Sequence, residues 1–178
     1  MFFRFLIALS LVSVLPACGS SKKASESHTL SAEKTQSLKE SALRDARATS
    51  KATLQQDWET VIKHTHPNVV EVMQGRASAI AFLASTWTEM STVLSIDDST
   101  IGNISDIVHE QGEYRCFIEN YLTITLEGKT MKRLSHLLGF YDQEKEFWYF
   151  VNASELKEND ESFPGFKTSL KIPEDQTL

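Results

Sequence analysis

Three side chains in this 178-residue chain combine a reactive group with an apolar setting. His136 and Asn120 interrupt two long alternating stretches, "KTMKRLSHLLGFYD" and "EYRCFIENYLTITL", and Tyr149 sits in "KEFWYFVN". An imidazole titrates near neutrality and can serve as a general acid or base, with an amide such as Asn120 fixing its tautomer. Polar groups that converge in an apolar cavity mark a ligand pocket, so Asn120, His136 and Tyr149 are the pocket candidates, and none is assigned a catalytic role. His64 and His66 in "HTH" alternate at a helix end without a nearby Cys or acidic third ligand, a poor basis for a metal site. Asp97, Asp98 and the series Glu155, Glu158, Asp160 and Glu161 read as solvated turns and helix faces, with nothing like a calcium loop around them. No phosphate loop, dinucleotide fingerprint, G-x-S-x-G or Cys-x-x-Cys occurs, so no cofactor is expected.

The two cysteines have different surroundings. Cys116 lies between Tyr114 and Ile118 on the apolar parity of its stretch, with no flanking base, and reads as a buried structural thiol. Cys18 follows the one long apolar run directly. The opening "MFFRFLIALSLVSVLPA" has one positive side chain, Arg4, then an apolar stretch over residues 5–15 and a small residue, Ala17. That is the layout of a secretory signal, well short of the ~20 apolar residues a membrane-spanning helix needs. Its end, Leu15-Pro16-Ala17-Cys18, resembles a bacterial lipobox. The resemblance implies cleavage before Cys18, diacylglycerol on its sulfur and attachment to a membrane. Gly19 in the next position favours the outer membrane where one exists. Acyl chains gain about 0.8 kcal/mol per buried methylene, enough for two or three of them to hold a soluble domain at a bilayer. Residues 18–36, rich in Ser, Lys, Glu and Ala, form the expected tether.

Behind these residues stands one domain, over residues 37–153, with a tail over 154–178 that packs on it. Net charge is −6, from 18 Lys and Arg against 24 Asp and Glu, and no basic cluster exceeds a pair, so the electrostatic footprint of a nucleic-acid binder is missing. The spacing of Leu38, Ala42, Ala46 and Leu54 predicts a helix over 38–55, and Asp57 caps a second that carries Trp58, Val61 and Ile62 inward. Pro67 ends that helix, and "NVVEVM" reads as a short extended segment. Beyond Gly75, Ile80, Leu83, Ala84 and Trp87 give a third helix over "RASAIAFLASTWTEM". Everything after about Thr92 reads as antiparallel strands, so the fold class is α+β, three helices packed on a curved sheet of four to six strands. In the tail, a helical turn around 155–157 and the anchors Phe163, Phe166 and Ile172 are expected.

The hairpin "LTITLEGKTMKRL" sets the sidedness of the candidates. With Gly128 as the left-handed residue of a turn that ends in a bulge, even positions meet even positions across the pair. One face then gathers Cys116, Ile118, Asn120, Leu122 and Ile124 with Leu134, His136, Leu138 and Phe140, and Asn120 and His136 become cross-strand neighbours. Phe147, Tyr149 and Val151 join that face. The opposite one carries Phe117, Tyr121, Leu137 and Tyr141 among Arg115, Glu119 and Arg133.

Residues 38–152 resemble the nuclear transport factor 2-like superfamily, which includes ketosteroid isomerases and polyketide cyclases. The likeness rests on "QQDWETVIKHTHPNVVEVMQG", on the helix that follows, on the long hairpin and on the closing "FWYFVN". It implies a cone whose sheet wraps a cavity, and a homodimer through the outer sheet face. The carboxylate base of the isomerases has no counterpart on the apolar face. The expected function is therefore a lipid-anchored, non-catalytic module that binds a small apolar ligand or an envelope partner protein. The alternative is an envelope isomerase, cyclase or hydratase that uses His136, which requires an open path to that ring.

Overall fold

The computed structural model describes residues 30–158 and 164–178, so Cys18, the signal, most of the tether and Phe163 lie outside the described residues. The first helix, α1 (Ala32–Leu54), starts before the predicted boundary because Ser31 caps it, its hydroxyl oxygen accepting the Lys34 N–H at 3.1 Å. Residues 32–36, read as tether, are thus its first turn. Leu38, Ala42 and Ala46 recur every fourth position and are fully buried, and Lys51 in the last turn suits the negative end of the helix dipole. Asp57 caps α2 (Trp58–Lys63) as expected, through Thr60 N–H at 3.1 Å.

The segment expected to be extended is a helix, α3 (Pro67–Val72). Pro67 does keep His66 out of the helical region, at ψ 135°, but a proline itself is well placed at the first helical position, where its fixed φ fits and its missing N–H has no partner to lose. His66 then acts as the cap, its Nδ1 accepting the Asn68 N–H at 3.2 Å. Gln74 and Gly75, at φ 65° and 94°, turn the chain into α4 (Arg76–Met90), whose Ala79 is fully buried and whose Trp87 meets Trp58 with ring centroids 5.9 Å apart. Four helices, rather than three, therefore precede the sheet among the described residues.

The sheet has six antiparallel strands: β1 (Leu94–Ile104), β2 (Val108–Glu110), β3 (Glu113–Leu126), β4 (Lys129–Asp142), β5 (Phe147–Asn152) and β6 (Gln176–Thr177). Its main order is β1-β3-β4-β5, with β2 also on β3 and β6 on β4. A short helix, α5 (Ala153–Glu158), and a 3-10 turn (Pro164–Phe166) lie between β5 and β6. The β3–β4 hairpin closes through a two-residue turn, Leu126 pairing with Lys129 while Glu127 and Gly128 sit at φ 50° and 78°. Two successive left-handed residues match the twist of the strands, so no bulge is inserted. The expected parity is therefore wrong by one residue: Cys116 pairs with Gly139, Asn120 with Ser135, and His136 with Glu119.

Two cores result, one on each face. On the first, Leu38, Ala42 and Ala46 of α1 pack on Cys116, Ile118, Trp148 and Phe150. Gly139 lies under this core, where an added Cβ would come 3.1 Å from Cys116 Sγ and 3.2 Å from both the Trp148 and Phe150 rings. On the second face Leu138, Phe140, Tyr149 and Val151 are covered by Ala153, Phe166 and Ile172, with Val69 of α3 beside them. Of the tail residues named above, Phe166 and Ile172 lie against this core. The tail lies over part of the face expected to be free for a dimer, while Leu137 and Tyr141, expected on that face, pack on the α1 side.

Candidate functional site

The register separates the residues expected to converge. Asn120 faces α1 within a chain of hydroxyls: its Oδ1 accepts from Ser99 Oγ at 3.2 Å, and Ser50 of α1 donates to Ser99 at 2.7 Å. His136 lies on the other face, 1% exposed, with the Phe117 ring edge-on at 5.7 Å. Its Nδ1 is 3.5 Å from Asp175 Oδ1 and makes no hydrogen bond. The strand β6 crosses β4 at Arg133 and Leu134, just before His136, and Asp175 also reaches Arg133 at 3.4 Å. The open path that a catalytic His136 requires is closed.

Tyr149 shares the face of His136 and opens on a groove. Strand alternation turns Phe147, Tyr149 and Val151 away from α1, so the start of β5 presents two aromatic rings to the corner between α2 and α3. Between them runs a groove of about 660 Å³, floored by Ile62, Pro67, Val70 and Phe147 and rimmed by Lys63 and Lys145. A smaller polar hollow of about 350 Å³ adjoins it across Pro67 and Tyr149, with Glu113, Asp142 and Gln143 in its wall.

The groove's polar edge is built by the β4–β5 turn. Asp142 Oδ1 accepts the N–H groups of Glu144 and Lys145, each at 3.0 Å, which holds the turn. Its Oδ2 accepts from Lys145 Nζ at 3.0 Å and from the Tyr149 hydroxyl at 3.2 Å. Partial burial pushes the Asp142 carboxyl up, but the backbone and ammonium donors of Lys145 outweigh that and leave it below the usual range. Lys145 Nζ also donates to Tyr149 Oη at 2.8 Å, and this bond, with the Asp142 contact, raises the ammonium above its ordinary value. Lys145 is thus a fixed cation at neutral pH.

His66 borders the smaller hollow, packed among the rings of Phe140, Tyr149 and Phe166. Burial, with Arg115 nearby, lowers it to about 4, so it stays neutral. His64 is buried too, its Nδ1 2.9 Å from the Trp148 carbonyl. The two histidines serve different elements, and no cluster of three metal-ligating side chains occurs among the described residues. Cys116 is fully buried, and desolvation pushes its thiol up against a weaker opposing effect of Lys39, which removes it as a nucleophile.

Arg115, read from the sequence as an outer-face charge, is 1% exposed. It donates to the carbonyls of Lys167 at 2.8 Å and Gly165 at 2.9 Å and lies 5.0 Å from the Phe140 ring centroid, pinning the tail. Sequence reading also missed Lys63, Val70, Lys145 and Phe147 as a group, because they come from segments about eighty positions apart. The available signals were the proline at 67, which sets the α2–α3 corner, and the two-residue alternation of Phe147 and Tyr149. No family model, no curated relative and no solved structure matches the chain.

Proposed function

We propose that this protein is a lipoprotein of a bacterial cell envelope, moored through acyl chains on Cys18, whose folded domain is a non-catalytic binding module for a small apolar ligand. The observation that carries the binding reading is the groove between the α2–α3 corner and β5. Its volume of about 660 Å³ suits a small molecule, and its floor is aliphatic and aromatic with a few placed polar groups at the edge. The sealed position of His136 argues for binding rather than turnover. The anchoring half rests on Leu15-Pro16-Ala17-Cys18 and the apolar run before it. A nuclear transport factor 2-like cone belongs to the same reading, supported by helices that precede an antiparallel sheet, by the Asp57 cap and by the long β3–β4 hairpin.

Metabolic labelling with palmitate, followed by membrane fractionation, tests the anchor. The native chain should incorporate label and sediment with membranes, and Cys18→Ala should do neither. Native mass spectrometry of the chain extracted from its own membrane tests the module, which should carry a small bound molecule. An unlabelled chain in the soluble fraction, or a domain that never retains a ligand, would remove the respective half of the reading.

A further inference from the structure

The groove has an apolar floor and a cationic edge, and that pairing selects a class of ligand. Lys63 Nζ lies 5.7 Å from the Phe147 ring centroid and Lys145 Nζ lies 5.5 Å from that of Tyr149. The two rings meet edge to face with centroids 4.8 Å apart, so both ammonium groups border one small aromatic patch. Lys145 is held in place by Asp142 and Tyr149, whereas Lys63 makes no ion pair with any described residue. Of the other charged side chains along the groove, Arg76 is committed to Glu59, and Glu71 is the one carboxylate in the lining. With Asp142 on Lys145 and Glu59 on Arg76, three cations stand with three carboxylates along this edge, and Lys63 is the cation there whose ammonium has no ion-pair partner among the described residues.

The apolar surface does not stop at the groove. Past Gln74, which lines both hollows, a second one of about 340 Å³ is bounded by Val72, Met73 and Phe82. Val72 is 67% exposed and Phe82 58%, so beyond the Gln74 amide apolar surface resumes on the α3–α4 corner, and the two stretches together form an interrupted apolar track. A single-headed amphiphile has the same polarity along its length: an anionic end and a long apolar body.

Resting on the binding-module reading, we propose that this track takes a long-chain fatty acid, with its carboxylate between Lys63 and Lys145 and its chain over Val70 and Phe147 toward Phe82. The chain leaves water for the aliphatic floor, and the head group meets the two ammonium groups at an exposed edge, where charge pairing orients the ligand more than it tightens it. Binding needs no chemistry from the protein.

The test uses the full chain held in amphipol and saturated with the fluorescent fatty acid cis-parinaric acid, which competing ligands then displace. Palmitate should displace the probe at one site per chain. The double variant Lys63→Met, Lys145→Met should weaken palmitate roughly tenfold, the loss of about one well-formed charge contact, and leave the uncharged palmitamide unchanged. Val70→Trp, at a half-exposed helix position, fills the groove and should abolish binding of both. Circular dichroism melting of each variant establishes that it folds, and the lysine variant decides the question if the tryptophan variant does not. Saturable palmitate binding that ignores both variants overturns the proposal, as does no saturable binding of the probe. Stronger displacement by lysophosphatidylcholine or an acidic peptide than by palmitate also overturns it. A different small molecule found by native mass spectrometry would reject the fatty acid and leave the module reading standing.

Discussion

His66 couples the fold to pH through burial. Desolvation, assisted by Arg115, lowers its imidazole to about 4, while in the unfolded chain the group titrates near its ordinary 6.5. Between those values the unfolded chain holds a proton that the folded one lacks. Its contribution to stability is therefore fully present above about pH 6.5 and is lost as the pH falls toward about 4. Urea titrations across that window should show the denaturation midpoint dropping with acid. His66→Asn, which keeps a side-chain acceptor for the Asn68 N–H, should flatten the dependence. A wild-type midpoint constant over the window would contradict the buried, neutral assignment. Cys116 illustrates how much at this level could be read without coordinates: its apolar parity and lack of a flanking base pointed to a buried inert thiol, and it is fully buried. The role of His66 was half legible, since Pro67 marked a boundary but not that a helix would begin there.

Trp148 of β5 joins helix to sheet at three points. It is fully buried against Leu38 and Ala42, its backbone N–H donates to the buried Asp45 carboxylate at 3.0 Å, and its indole N–H donates to Ser41 Oγ at 2.9 Å. Trp148→Ala removes the largest side chain of that core and leaves a cavity between two rigid elements, so it should cost about 3–5 kcal/mol in chemical denaturation. A loss under about 1 kcal/mol would mean that α1 is not anchored there. The strands β3 and β4 were legible to the residue, because β-branched and aromatic runs flank a short polar turn. Their relative register was not. A bulged turn and a two-residue turn both suit "EGK", and the one-residue difference between them transfers His136 to the other face of the sheet.

The C-terminal segment closes the molecule over the second core. Arg115 holds its start, Phe166 and Ile172 fill its middle, and β6 ends it beside His136. Deleting residues 174–178 removes β6 and Asp175 while leaving Phe166 and Ile172 in place. His136 should then become reactive toward diethyl pyrocarbonate, at a site protected in the full chain, with helix and strand content by circular dichroism retained. Protection unchanged by the deletion would assign the shielding to Phe117 and the sheet instead. Sequence reading saw the tail as packing on the domain, but not which charged residue it would bury. An arginine in a strand is ordinarily solvated, and the carbonyls of Gly165 and Lys167, some fifty positions away, together with the Glu113 carboxylate at 3.2 Å, make its burial tolerable.

Composition and periodicity were enough for the α+β class, the stripe of α1, the Asp57 cap, the limits of the long hairpin strands and the burial of Cys116. Each follows from interactions within a few residues or from the parity of one strand. The side of the sheet on which His136 lies, the helix at Pro67, the enclosure of Arg115 and the groove between the α2–α3 corner and β5 were settled by packing. These depend on contacts between distant segments, where a turn one residue shorter or a tail crossing one face changes which side chains meet, and no local pattern carries that information.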